Sequence, residues 1–163
     1  MKFIKNYSLL VHLVLIFSID RISKYLMINA VHNSGKNKIF NSEFLNFELI
    51  WNKGIAFGLL AFDKVVFYHI ITTIIFIVIA ILIFLYTKSY GFEKYAYILI
   101  SGGALGNLYD RILYNAVPDF IDFHINNFHW FIFNIADIFI TLGILCLIYD
   151  EVFLEKKRDG KNF

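Results

Sequence analysis

The chain has 163 residues, of which 59% are hydrophobic, 19% aromatic and 17% charged, and its mean hydropathy is +0.65. Soluble domains run at roughly 45–50% apolar and about 25% charged, so this composition excludes both an ordinary soluble domain and a disordered chain and makes lipid the expected solvent. A net charge of +2, from 15 basic and 13 acidic residues, gives no electrostatic case for nucleic acid, and no basic run is interleaved with aromatics in a polar context.

Lys2 and Lys5 followed by the apolar run Leu9 to Ile19 imitate a signal peptide. The small-residue cleavage site is missing, and Asp20, Arg21 and Lys24 lead into further apolar residues, so the segment reads as a retained first helix. Four stretches suit a hydrocarbon core about 30 Å thick, at residues 7–28, 65–86, 95–113 and 131–149. The second is the purest and fits a helix with much lipid contact. The others carry carboxylates and amides, which lipid-facing positions do not tolerate. Four spans put both termini on one side. Lys2, Lys5, Lys88, Lys94, Lys156, Lys157, Arg158 and Lys161 make that side cytoplasmic, although Lys36, Lys38, Lys53 and Lys64 fall in the long first connection.

Residues 29–64 and 114–130 then face outward. From Leu45 to Asn52 apolar and polar residues alternate apart from Ile50, the period of a half-buried strand, so a small β element is expected there, resting on the membrane. The second outward connection, rich in Asn, His, Asp and aromatics, suits the interface. The expectation is one all-α membrane domain: a four-transmembrane-helix bundle with a small extracytoplasmic β cradle between the first two helices.

On this map Asp20, Asp110 and Asp137 all reach the outer half of the membrane, and Asp119 and Asp122 lie in the outward connection at the same level. A buried charge costs about 2.5–3.5 kcal/mol on insertion scales, so each needs a partner or must be neutral. Asp20 and Lys24 are four apart on one helix face, as are Asn107, Asp110 and Arg111 by the three-and-four rule. Asn134 and Asp137 also share a face, and Asp137 has no cation within a turn.

Other chemistries find little support. Cys146 stands alone, excluding a disulfide or cysteine metal site within the chain. Histidines 12, 32, 69, 124 and 129 lack metal-ligand spacing, His124 and His129 being five apart in a predicted loop, so no metal and no cofactor is expected. No Gly-x-Ser-x-Gly elbow occurs. Gly102 and Gly106 form a small-xxx-small pattern for close helix packing, which also lets polar groups of a neighbouring helix approach. Two neighbouring carboxyl groups cannot both ionise, so one holds a proton while the other accepts one from a water between them. Asp137 is one member, and position leaves Asp110, Asp119 and Asp122 open as the other. A proton-coupled transporter or channel subunit is the alternative, since intramembrane carboxylates also mark ion paths, but no internal repeat supports it. A structural assembly protein explains the glycines and leaves Asp137 unaccounted for.

The motifs themselves resemble the lipoprotein signal peptidase (signal peptidase II) family. Asp20-Arg21-Ile22-Ser23-Lys24 is similar to its first box, Asn52-Lys53-Gly54-Ile55-Ala56-Phe57 to its second, and Gly103 to Arg111 to its third, most specific box. Val117-Pro118-Asp119-Phe120 and Phe133-Asn134-Ile135-Ala136-Asp137 resemble the last two. The resemblance implies an aspartic endopeptidase of the bacterial cytoplasmic membrane, its active site at the extracytoplasmic face. Asp119 and Asp137 would be the catalytic pair, with Asp20, Lys24, Asn52, Gly54, Asn107, Asp110, Arg111 and Asn134 shaping the site and holding substrate. The substrate would be a prolipoprotein cut just before its diacylglyceryl-modified cysteine. Membrane lipid would be the other partner, nucleic acid none, and a monomer would suffice. In two places the sequence departs from the family pattern: Pro118 stands where an aliphatic residue is more usual, and Ile138 where a small residue, often Ser, follows the aspartate.

Overall fold

The computed structural model describes residues 2–54, 65–126 and 128–155. Four helices, α1 (Lys2–Ser34), α2 (Val65–Lys88), α3 (Glu93–Tyr114) and α4 (Ile135–Tyr149), are joined by strands β1 (Lys38–Asn41), β2 (Leu45–Asn52), β3 (Val117–Ile125) and β4 (Phe128–Phe133). A π-helical turn, Asp150–Glu155, continues α4. The strands form one antiparallel sheet in the order β1-β2-β3-β4. The molecule is thus helix-rich with a small sheet, and α3 is the central helix, packing on α1, α2 and α4.

Glycines make that central position possible. A Cβ on Gly102 would lie 2.8 Å from Ile16 Cγ2 of α1, and one on Gly106 would lie 2.5 Å from Asp20 Oδ2. One on Gly103 would run into the Ala136 carbonyl of α4. The expected close packing is therefore present, and at Gly106 it admits a carboxylate instead of an apolar side chain.

Along one face of α1, at helical spacing, come Ile16, Asp20, Lys24 and Met27, all buried. Ile16 belongs to an apolar cluster with Tyr86 and Ile98. Met27 belongs to a second, with Leu49, Phe120 and Ile121 of the sheet. Between these two apolar clusters the helix presents its charged pair, so the polar layer is walled on both sides by hydrocarbon. The opposite surfaces of α1 and α2 expose Leu10, Val14, Ile22, Leu26, Ile74, Phe76 and Ile81, as expected of helices solvated by lipid.

The helices match the four expected spans in order, with α1 extending past the first at both ends. By length and composition, one helix among the described residues clearly suffices to cross a membrane, over Tyr68–Lys88. Buried ion pairs break the apolar runs of α1 and α3, and α4 spans only 15 residues. Its late start has a local cause. Residues 128–133, expected inside the fourth span, form β4, and Asn134 caps the helix: its side chain accepts from the Asp137 N–H while the Asp137 carboxylate accepts from the Asn134 N–H.

The sheet is larger than the expected element between the first two helices. The second outward connection contributes β3 and β4, and β3 is central, pairing with β2 (Asn46 opposite Asp122, Asn52 opposite Val117) and with β4 (Ile121 opposite Phe133). Pro118 consequently lies within a strand and not in a loop. It is tolerated because β4 pairs with β3 only from Ile121 onward, leaving one side of β3 free of a described ladder partner at that point. The turn between β3 and β4 uses Asn126 in the left-handed region, φ 53°. Ile55, Ala56 and Phe57 of the second box and the orientation charges Lys64, Lys156, Lys157, Arg158 and Lys161 lie outside the described residues.

Candidate active site

Two groups of carboxylates occupy the polar layer, held in different ways. In the first, Lys24 Nζ donates to Asp20 Oδ2 (3.0 Å), Asp110 Oδ2 (2.7 Å) and Asn107 Oδ1 (2.8 Å). Arg21 donates to both carboxylates as well, through Nη2 at 2.5 Å to Asp20 and 2.7 Å to Asp110, and through Nη1 to the other Asp110 oxygen. Two cations thus neutralise two fully buried carboxylates, which satisfies the requirement for a low-dielectric interior. Asp20 Oδ1 also accepts from the Ala136 N–H (3.1 Å), placing negative charge at the N-terminus of α4.

In the second group the donors are amides. Asp119, 2% exposed, accepts from Asn134 Nδ2 (2.6 Å) at Oδ1 and from Asn52 Nδ2 (2.8 Å) at Oδ2. Asp137 accepts from Asn107 Nδ2 (2.8 Å) at Oδ1 and from the Asn134 N–H (3.1 Å) at Oδ2. Asn134 therefore touches both carboxylates, one with its side chain and one with its backbone. Burial above all, and then the negative charge of Asp137, push the Asp119 carboxyl up to about 7, against the hydrogen bonds from Asn52 and Asn134 and the charge of Lys24.

The remaining residues extend the same chain of contacts. Asn52 Oδ1 accepts from the Gly54 N–H (2.8 Å), and the Gly54 carbonyl accepts from Arg111 Nη2 (2.6 Å). Arg111 thus reaches the β2 end and not the neighbouring Asp110, while Tyr68 of α2 donates to its carbonyl (3.1 Å). All ten residues expected at the site, Asp20, Lys24, Asn52, Gly54, Asn107, Asp110, Arg111, Asp119, Asn134 and Asp137, belong to one connected hydrogen-bond network. Of the three carboxylates left open as partner of Asp137, Asp110 is occupied by two cations and Asp122 by Asn46 and His129, whose Nδ1 is 2.9 Å from both its oxygens. Burial opposes the ionisation of Asp122, but those hydrogen bonds and the two nearby histidines hold it below the ordinary carboxylate range. Asp119 alone of the three shares a hydrogen-bonding residue, Asn134, with Asp137 at first remove.

Comparison with known proteins decides the family. The family model described as Signal peptidase (SPase) II matches residues 12–153. This chain belongs to the signal peptidase II family. It is 47% identical over 160 residues to the lipoprotein signal peptidase of Pelagibacter ubique (strain HTCC1062), covering 98% of this chain and 96% of that one. It is 42% identical over 148 residues to that of Francisella tularensis subsp. novicida (strain U112), covering 88% and 91%. A solved structure described as a bacterial membrane enzyme structure by the in meso method at 1.9 Å resolution superposes with a TM-score of 0.71 at 31% identity, over 90% of this chain and 93% of that one.

As a member of the signal peptidase II family the protein is a peptidase and a membrane enzyme. One residue of its charged layer is not singled out by helical spacing: Arg21, beside Asp20 in the first box, which donates to both Asp20 and Asp110. Its guanidinium packs 4.9 Å from the Tyr109 ring centroid and 5.6 Å from that of Phe17. Phe17, four residues before Arg21 on the same helix face, is the available signal, whereas Tyr109 comes from α3 and lies beyond the reach of spacing. Of the two departures from the family pattern, Ile138 packs against the Met27 cluster and turns this side of Asp137 into hydrocarbon.

Proposed function

We propose that Asp119 and Asp137 are the catalytic pair of a signal peptidase that removes signal peptides from prolipoproteins, cutting just before the diacylglyceryl-modified cysteine. The observation that carries the assignment is Asn134, which hydrogen-bonds both carboxylates, and among the described residues neither carboxylate has a cation at hydrogen-bond distance. Near neutral pH such a pair holds one proton between two carboxyl groups. The ionised member takes a proton from a bound water as its oxygen attacks the scissile carbonyl, and the protonated member donates to the developing oxyanion. As the tetrahedral intermediate breaks down, the aspartate that took the water's proton gives it to the leaving amine, and the other recovers its own proton from the intermediate's hydroxyl as the new carboxyl group forms. Asn52, Asn107 and Asn134 orient the carboxylates throughout, while the balanced group of Asp20, Arg21, Lys24 and Asp110 fixes α1 against α3.

We further propose that the chain forms one membrane domain with four spanning helices, both termini cytoplasmic, and the sheet and dyad at the extracytoplasmic face. The apolar outer surfaces of the helices and the position of the dyad beside the sheet support this arrangement. A cavity of about 290 Å³ lined by Phe133, Asp137, Ile138, Thr141 and Leu142 opens beside the dyad. Its apolar wall suits acyl chains, which gain about 0.8 kcal/mol per buried methylene. Since every site residue comes from one chain, a monomer suffices.

The test is cleavage of a diacylglyceryl-modified prolipoprotein by purified protein in detergent or vesicles, beside Asp119→Asn, Asp137→Asn and an unlipidated substrate. Wild type should cut before the lipidated cysteine and both folded variants should not. Normal cutting by either variant refutes the dyad, and equal cutting of the unlipidated substrate refutes the role of the lipid.

A further inference from the structure

A second polar cluster lies on the sheet, away from the dyad. Asp122 and His124 are two apart on β3, and His124 is the register partner of His129 on β4. The two imidazoles lie nearly parallel, 16° apart, with ring centroids 5.0 Å apart. Asp122 reaches His129 Nδ1 at 2.9 Å and accepts from Asn46 Nδ2 of β2 at 2.9 Å.

Hydrogen bonding accounts for only part of this arrangement. Among the described residues, His124 Nδ1 is shielded from solvent and has no hydrogen-bond partner. The same holds for Asn46 Oδ1, on a side chain only 1% exposed. A buried acceptor without a donor is unfavourable unless something electropositive approaches it, and His124 Nδ1 is such an acceptor in the tautomer protonated at Nε2. One donor atom from each of Asp122, His124 and His129 lies within 4.8 Å of the others.

We propose that Asp122, His124 and His129 form a binding site for a divalent transition-metal ion, with zinc as the natural probe. Two imidazoles and one carboxylate favour zinc and its transition-metal neighbours over magnesium or calcium, which take oxygen ligands. A tetrahedral zinc ion with bonds of about 2.0–2.2 Å holds its ligand atoms about 3.3–3.6 Å apart, so His129, now 2.9 Å from Asp122, must back away slightly while the wider pairs close. The His129 side chain, 51% exposed, has the freedom to do so and gives the ion a way in. The ion displaces the proton shared by Asp122 and His129, and Asn46 remains hydrogen-bonded to the ligating carboxylate and orients it. Asp119 and Asp122 are three residues apart, about 10 Å along the strand, so the site braces the sheet and takes no part in peptide hydrolysis. It ties β3 to β4, whose far end delivers Asn134 to the dyad.

These ligands escaped the sequence criteria because the chain folds back between them. Residues five apart across a hairpin face each other, whereas the familiar zinc spacings describe one helix or paired knuckles.

The test uses untagged, chelator-stripped full-length protein in detergent, titrated with zinc by calorimetry and with cobalt by visible absorption. The expected result is one ion per chain, tetrahedral cobalt bands, a zinc-dependent rise in melting temperature and no response to magnesium. His124→Ala and His129→Ala should each weaken zinc binding about 100-fold or more, by analogy with the 10- to 100-fold losses that follow removal of supporting groups around a metal. His32→Ala should leave it intact. Should the variants fail to fold, zinc protection of His124 and His129 in the wild type against diethyl pyrocarbonate, mapped by mass spectrometry, supplies the answer. Binding that survives both substitutions, follows His32, or protects neither histidine overturns the proposal.

Discussion

The polar layer contains two pairs of buried carboxylates that receive opposite treatment. Asp20 and Asp110 are each held by both Lys24 and Arg21, so their charges are cancelled where they sit. Asp119 and Asp137 are held by amides from Asn52, Asn107 and Asn134, which fix position without supplying a counter-charge. Asn107 joins the groups, accepting from Lys24 and donating to Asp137. The contrast separates two uses of a buried acid. A cation cancels a carboxylate's charge in place and makes the group structural, whereas Asp119, held by amides and pushed up to about 7 by burial, can exchange a proton near neutral pH.

Four substitutions probe this contrast. The largest effect belongs to the amide-held pair: Asp119→Asn or Asp137→Asn should lower cleavage by about 10³-fold or more, since general acid–base catalysis alone is worth 10²–10⁴, while circular dichroism stays near wild type. The cation-held pair should respond in stability instead. Lys24→Met leaves Asp20 and Asp110 with one cation between them and should destabilise by about 3–5 kcal/mol, read from denaturation in detergent. A Lys24→Met protein as stable as wild type would erase the distinction between the groups.

The pH dependence of stability gives the third test. The Asp119 carboxyl titrates near about 4 when unfolded and is pushed up to about 7 in the fold. The folded state thus binds the proton more tightly, and this group's contribution is most favourable below pH 4, declines as pH rises through 7, and is level above. Asp119→Asn should remove that slope and, at pH 8, be more stable than wild type by up to about 4 kcal/mol. The smallest expected effect is on the rate profile. Asn52→Ala removes a hydrogen bond that favours the ionised form of Asp119, so the acidic limb of the activity profile should move to higher pH by about one unit or less. A shift to lower pH would contradict the amide's role.

How far the primary structure revealed this site depends on which neighbours each residue has. The Asp20–Lys24 contact lies within one helical turn and follows from spacing alone. The strand at Leu45–Asn52 was visible from its alternation of residue types, although burial does not follow that alternation: Asn46 and Asn52 are buried against β3 and its carboxylates while Ile50 and Trp51 are exposed. β3 was invisible because Val117 to Asp122 are all buried, and a strand covered on both faces loses its alternation. With β3 unseen, position along the chain left Asp110, Asp119 and Asp122 equivalent as partners for Asp137. The motif resemblance named Asp119, and the geometry gives a physical ground for that choice: β3 pairs with β2 so that Asp119 meets Asn52, and turns through β4 so that Asn134 returns to it.

Sequence by itself determined the lipid-compatible composition, the four apolar helices in order, the acidic residues that share one level, and the local Asp20–Lys24 and Asn134–Asp137 contacts, because hydropathy and helical spacing act within a few residues. Only the tertiary structure decided which carboxylates are neutralised by cations and which are held by amides, that Arg111 reaches Gly54 past Asp110, and that His124 faces His129. Those outcomes depend on glycine-permitted helix approach and on strand register, and both join residues that lie far apart along the chain or face each other across a turn, where spacing carries no signal.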